Sequence, residues 1–194
     1  GTYFYSNGNE YIGNWFRGEK QGNGILNTID SGKYVGLWSK DLRNGDGAQD
    51  YPNGDRYDGE WLNNKKNGQG IMTYVSGDEY DGLWSNDLKN GQGRLAYSNG
   101  GNYFGNWNDN KKNGQGKMAY ENGDVYEGDW SNNNIVGMGI YKYANGDIYD
   151  GEWINGIKYG KGSFITKDNE KYNGDWKDDL REGQGTFSFS NGDK

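Results

Sequence analysis

Eight tryptophans, Trp15, Trp38, Trp61, Trp84, Trp107, Trp130, Trp153 and Trp176, follow one another at intervals of 23 residues without a single slip. Such spacing requires one structural unit repeated in register, and a period of this order marks a repeat array. Each tryptophan closes the frame Tyr-x-Gly-x-Trp, from Tyr11–Trp15 to Tyr172–Trp176. A Gly-x-Gly follows in every copy, from Gly22 and Gly24 to Gly183 and Gly185. The heptapeptide Asn64–Gly70 returns verbatim at Asn110–Gly116, two periods later.

Parity inside the unit gives its secondary structure. Tyr11, Gly13 and Trp15 alternate with Ile12 and Asn14, and Gly22, Gly24, Leu26 and Thr28 again share one parity. Period-2 alternation describes strands with two unlike faces. Residues of the first parity stack into apolar and aromatic columns, and the opposite parity is mostly Asn, Asp, Ser, Thr, Ala and Lys. A helix is excluded because each interior glycine costs about 1 kcal/mol relative to alanine. Each unit therefore reads as a β-hairpin, returned by a turn such as Tyr51–Asp55, where Asn and Gly tolerate positive φ. In a strand, a glycine on the aromatic side leaves a flat seat for a neighbouring ring, which can bury ~150–250 Å² at about 25 cal/mol per Å². The expected fold is all-β: an elongated, single-layer antiparallel meander of eight hairpin repeats, a twisted rod or trough. It occupies residues 1–194 as one array, cut at both ends from a longer one, since Gly1 and Lys194 both fall inside the frame.

Composition agrees. Apolar residues make up 31% of the chain, too few for one large core, while 16% aromatics exceed what disordered chains carry. Units that bury their faces only against neighbours meet both conditions. The chain has neither cysteine nor histidine, which removes disulfides, thiol nucleophiles, zinc sites and the usual neutral-pH base. No signal peptide is visible, which decides little in a chain cut from a longer array; the lack of any Asn-x-Ser/Thr acceptor favours a cytoplasmic setting.

The combination of Tyr-x-Gly-x-Trp, Gly-x-Gly and Asn-Gly-Asp-x-Tyr at this period resembles the MORN repeat across the whole chain. Departures are Gly32, one position late in its turn, Asn169 in place of the turn glycine, and Thr28 and Thr166 in place of an aromatic residue. The resemblance implies an elongated single β-sheet without catalytic activity. Such arrays accompany lipid kinases, methyltransferases and junctional membrane proteins, or stand alone as cytoskeletal scaffolds. The stand-alone arrays of parasitic protists dimerise through C-terminal repeats.

Three surfaces are candidates for function. A basic column at the hairpin tips, Lys20, Arg43, Lys66, Lys89, Lys112, Lys158 and Arg181 with Lys65 and Lys111 beside it, could meet anionic phospholipid head groups. Against this stand a net charge of −7 and the interleaved acids Asp41, Asp87, Asp178 and Asp179; the column also reads as a solvated edge. The aromatic side, lined midway by Met72, Tyr74, Leu95, Tyr97, Met118, Tyr120, Tyr141 and Tyr143, could seat a helix or extended peptide, or be a core filled by its own rings. In the C-terminal half, Ile135, Val136 and Met138 replace the usual basic residue, Asn and Gln, and Ile154, Ile157 and Tyr159 lie in the next repeat. An apolar patch on a charged surface marks contact, here with a second copy or a partner.

Catalysis is not expected. Asp55, Asp78, Asp124 and Asp147 recur after the turn and serve it, and Gly-Gln-Gly lacks the Lys-Ser/Thr of a phosphate-binding loop. The expected protein is a scaffold without cofactor, metal or small-molecule substrate. It forms a homodimer and binds a cytoskeletal or membrane-associated protein, and it does not bind nucleic acid. Its setting is cytoplasmic, on the cytoskeleton or peripheral to a membrane. A phosphoinositide-binding membrane module is the alternative.

Overall fold

A computed structural model describes residues 1–191 and 193; Lys194, the last residue of the expected array, lies outside them. The described residues form strands and turns without a helix. They divide into two compact units, Gly1–Ser98 and Asn99–Lys194.

The first unit holds β1 (Thr2–Phe4), β2 (Glu10–Phe16), β3 (Glu19–Thr28), β4 (Gly32–Ser39), β5 (Leu42–Asp50), β6 (Arg56–Leu62), β7 (Lys65–Thr73), β8 (Glu79–Ser85) and β9 (Leu88–Ala96). The second holds β10 (Asn102–Asn108), β11 (Lys111–Ala119), β12 (Val125–Ser131), β13 (Asn134–Lys142), β14 (Ile148–Ile154), β15 (Ile157–Ile165), β16 (Lys171–Lys177) and β17 (Leu180–Ser188). Within each unit every strand pairs antiparallel with its neighbours in sequence, as the hairpin reading requires.

The glycines fix the register. In the first unit Gly13 faces Gly24, Gly24 faces Gly36, and the ladder continues through Gly47, Gly59 and Gly70 to Gly82 and Gly93. The tyrosine that opens each frame lies across one such pair. A Cβ on Gly70 would stand 2.5 Å from Cζ and 2.6 Å from Cε2 of Tyr57, so only glycine leaves the seat open. The hydroxyl then donates to the carbonyl three residues on, as Tyr57 does to Glu60 at 2.9 Å and Tyr149 to Glu152 at 3.0 Å. Seven of these tyrosines, from Tyr11 to Tyr149, are fully buried.

Tryptophans lock the repeats together. Trp61 Nε1 donates to Gly47 O and Trp84 Nε1 to Gly70 O, each reaching back into the preceding hairpin. Tyr34 meets Trp38 and Trp61 edge-on at centroid distances of 5.2 and 5.5 Å, and Tyr57 meets Trp61 and Trp84 in the same way. Edge-to-face contact is the arrangement that ring quadrupoles favour. The core of each unit is thus a herringbone of alternating Tyr and Trp on one face of the sheet.

Two turn types return the chain. At the Tyr-x-Asn-Gly-Asp link, Gly54 has φ of 93° and Tyr51 accepts from its N–H at 3.0 Å. At the other end, two-residue turns hold both central residues at positive φ, for example Asn63 at 50° and Asn64 at 68°. This is the primed turn whose twist matches that of the strands, and Asn and Asp tolerate it.

The face opposite the rings is not uniformly polar as the sequence pattern implied. Ile12 pairs with Ile25, Ile25 with Val35 and Val35 with Ala48, an apolar row on that face of the first unit. β-Branched side chains in adjacent strands shield one another there even with Ile12 and Val35 exposed.

Candidate interaction surfaces

The basic column lies beside the two-residue turns at the hairpin tips, but on the ring face of the strands and not in the turns. Lys20, Arg43, Lys66, Lys89, Lys112, Lys158 and Arg181 each sit one residue inside a strand, on the parity of the rings. Lys66 Nζ lies 5.6 Å from the Tyr57 centroid and 4.5 Å from that of Trp84; Arg43 Cζ lies 4.1 Å from that of Trp61. Lys158 lies over Tyr149 and Trp176, and Arg181 over Tyr172. These cations cap the aromatic herringbone, a use that ring faces reward by about 0.5–2 kcal/mol each. Burial holds the Lys66, Lys89 and Lys112 ammonium groups below the ordinary lysine value and Arg43 below that of arginine. A head group competing for them would have to break contacts that hold neighbouring repeats together. Lys65 and Lys111, by contrast, are exposed.

The acids among them have a structural task. Asp41 Oδ1 accepts from the Lys20 N–H at 2.9 Å, and Asp87 Oδ1 from the Lys66 N–H at 2.8 Å; Asn64 and Asn133 do the same for Arg43 and Lys112. The second residue of each such turn thereby ties its hairpin to the previous one. At the opposite end Asp55 accepts from the Val75 N–H at 2.9 Å and Asp124 from the Ala144 N–H at 2.8 Å. A third set had no counterpart among the sequence candidates: Glu60, Asp129, Glu152 and Asp175 accept the N–H groups of Gln69, Met138, Lys161 and Gln184, where the strand register shifts. Their signal was an acid immediately before the tryptophan.

The apolar residues of the second unit separate by face. Ile135 pairs with Trp130 and is only 8% exposed; it occupies the place of the missing cation in the aromatic core and is no part of a surface. Val136 and Met138 have the opposite parity. Met138 faces Glu152, and Gly137 faces Trp153, which sets Val136 beside the Ile154 end of β14. Ile154 faces Ile157, and Tyr159 follows on the same face of β15. Met138, Ile154, Ile157 and Tyr159 are 55%, 49%, 40% and 41% exposed. Five of the six residues thus gather on the polar face of three adjacent strands.

The lining of the expected groove divides into three buried residues and five half-buried tyrosines. Met72 and Leu95 in the first unit and Met118 in the second are buried. Tyr74 and Tyr97, and Tyr120, Tyr141 and Tyr143, are half-buried. Tyr141 stacks on Tyr120 at 5.9 Å, meets Tyr143 at 4.6 Å and donates to Asp124 Oδ2 at 2.8 Å. All eight tryptophans lie on this face; Trp15 is 37% exposed, and the seven from Trp38 to Trp176 are buried.

Among the described residues no cluster of His, Cys, Asp and Glu could hold a metal ion. No helix of the described residues is long and apolar enough to cross a membrane.

The model of the MORN repeat matches residues 11–27, 34–56, 57–79, 80–102, 103–125, 126–148, 149–171 and 172–194. The break at residues 28–33 falls on the irregular turn after Thr28. No curated protein matches the chain. Among solved structures, the wild-type TCP10 domain of Danio rerio CPAP in complex with a peptide of Danio rerio STIL is similar at 10% identity and a TM-score of 0.51, over 94% of this chain and 91% of that one. The TCP domain of Drosophila melanogaster SAS-4 (dCPAP), in complex with a proline-rich motif of Ana2 (dSTIL), matches at 15% identity and a TM-score of 0.45, over 92% and 88%.

Proposed function

Because the chain belongs to the MORN repeat family, we propose that it is a non-catalytic scaffold that joins proteins, a second copy of itself included, within a cytoskeletal or membrane-apposed assembly in the cytoplasm. The observation that carries this reading is the apolar patch of Val136, Met138, Ile154, Ile157 and Tyr159, gathered at one end of three adjacent strands on the face opposite the rings. Exposed apolar side chains on neighbouring strands gain by being covered, at about 25 cal/mol per Å². The peptide held by the similar CPAP fold is consistent with a sheet of this kind serving as a protein-binding platform.

The lipid reading has less support, since the cations it needs cap the core. Charge reversal at Lys66 would place a carboxylate over the Tyr57 and Trp84 rings and damage the fold whether or not lipid binds. The fair test uses the exposed Lys65 and Lys111. In flotation with vesicles of phosphatidylcholine and phosphatidylinositol bisphosphate, the chain is expected to stay with the soluble fraction. Self-association followed by sedimentation velocity should hardly change between ~0.05 and ~0.5 M salt, because apolar burial is not screened. Salt-sensitive flotation that Lys65→Glu/Lys111→Glu abolishes would instead establish the membrane module and remove the scaffold reading.

A further inference from the structure

The internal cations of the array reveal one incomplete site. Lys20 lies over Tyr11 and Trp38, and also beside Tyr5, fifteen residues before it, whose hydroxyl accepts from Nζ at 3.3 Å. Lys66, Lys89 and Lys158 have the same partner at the same offset: Tyr51 at 5.9 Å, Tyr74 at 5.2 Å and Tyr143 at 5.3 Å. For Arg43 that position is Thr28, and no ring stands there. Thr166 repeats the substitution before Arg181, but Arg181 gains a ring from Phe187 at 5.4 Å, and the residue matching Phe187 beside Arg43 is Gln49.

The space is open. A cavity of about 290 Å³ is lined by Thr28, Tyr34, Trp38, Gln49, Lys20 and Arg43, among others. Its walls are held in place by side chains that face inward. Gln49 is 3% exposed, donates to Ser31 O at 2.7 Å and accepts from Arg43 Nη1 at 3.0 Å. Arg43 Nη2 donates to Asn64 O at 2.9 Å, which fixes the guanidinium against Trp61. Thr28 Oγ1 accepts from the Ser31 N–H and donates to Gly32 O, so the turn at the rim is closed by a side chain too short to enter.

We propose that this cavity is a socket for an aromatic side chain, tyrosine or phenylalanine, presented by a partner protein. The occupant follows from the array's own template, in which a tyrosine ring fills the equivalent place beside a cation in neighbouring repeats. Two cations line the cavity with Asp41, and the negative face of a ring complements them without the repulsion that Asp41 would exert on an anion. The guest hydroxyl of a tyrosine would accept from Arg43 or Lys20, as Tyr5 does from Lys20. This inference deepens the reading of the chain as a protein-binding scaffold and rests on it. The socket lies in the first unit and the apolar patch in the second, so each can fail while the other stands.

The test is titration of the isotope-labelled chain with N-acetyl-tyrosinamide, followed by NMR at the Trp38 indole N–H, the Arg43 Nε–H and the Gln49 amide. The expected result is a saturable shift at these three, weakened at least tenfold when N-acetyl-cyclohexylalaninamide replaces the aromatic probe. Thr28→Tyr, which supplies the ring from within, is expected to abolish the response and raise the melting temperature. Three outcomes overturn the proposal: no saturable shift in the native chain, equal binding of the cyclohexyl probe, or a response to inorganic phosphate alone, which would make the site an anion pocket. These native-chain comparisons decide the matter even if Thr28→Tyr does not fold.

Discussion

Gly70→Ala is expected to cost about 3 kcal/mol or more and to lower the melting temperature of the first unit by ~12–24 °C. The added methyl would meet Tyr57 at 2.5 Å from Cζ and 2.6 Å from Cε2, where the ring is fully buried and lies flat on the glycine pair. Tyr57 cannot lift away without leaving Trp61 and Trp84, both edge-on to it at 5.1 and 5.5 Å. Overpacking of this kind is relieved only by backbone movement, and the opposite strand presents Gly59 at the same place. The control is Gly100→Ala, at a turn with φ of 97° and open space around the new atom. That change should cost about 1–2 kcal/mol, the penalty of positive φ alone. Thermal melts followed by near-ultraviolet circular dichroism distinguish the two. Equal, small losses at both sites would show that the ring does not depend on the glycine seat.

Alkaline pH should unfold the protein cooperatively. Burial pushes the Tyr34 and Tyr74 hydroxyls up from 10.0 to about 12, and moves Tyr57, Tyr80, Tyr126 and Tyr149 in the same direction. For an acid whose folded value is raised, the folded state holds its proton where the unfolded state would release it. The contribution of these tyrosines is therefore intact below pH ~10 and lost as the pH climbs through 10 towards 12. The lysines act in the opposite sense: Lys66, Lys89 and Lys112 are held below 10.5, so their cost falls as the pH rises to 10.5 and is gone before most of the tyrosine contribution is lost. Six tyrosines shifted by burial outweigh three lysines, and the net slope is towards unfolding. Tyrosinate absorbance and far-ultraviolet circular dichroism should change together in one steep step. Gradual tyrosine ionisation near pH ~10 with an unchanged sheet would contradict the buried herringbone.

Much of this architecture was legible because the period of a strand is two. Tyr11, Gly13 and Trp15 on one parity and Leu26 on the same parity after the turn are enough to place the rings together and to make glycine their seat. The same counting assigns Lys20 to the aromatic face, since it shares parity with Gly22, Gly24 and Leu26, and it assigns Ile135 with Gly137 and Gly139 to the core. Reading the basic residues as a solvated edge set their charge above their parity, and the structure reverses that order because a ring face can hold a cation. The register shift beside each tryptophan does not disturb the count: from Gly70 to Lys66 is an even step, although Gly59 to Trp61 is only two residues on the other strand.

Other features had no local signature. The primed turns use pairs such as Asn63–Asn64 and Asn86–Asp87 in place of the more familiar Asn-Gly, so no hairpin signal marks them in the sequence. The hydrogen bonds that the Lys20 and Val75 N–H groups donate to Asp41 and Asp55 join residues about one repeat apart, and sequence alone does not show which strands become neighbours at their ends. The open place at Thr28 appeared as a missing aromatic residue, but that nothing fills it depends on Gln49 and Arg43 being clamped to each other.

The patch of Val136, Met138, Ile154, Ile157 and Tyr159 is proposed to join copies of this chain. Light scattering across a concentration series tests it most directly, on the native protein and on Val136→Lys/Met138→Lys, a pair whose side chains lie away from the core. The expected native mass is near twice 21.8 kDa, falling to 21.8 kDa in the variant. A native mass of 21.8 kDa at every concentration, or a dimer untouched by the two lysines, would contradict it.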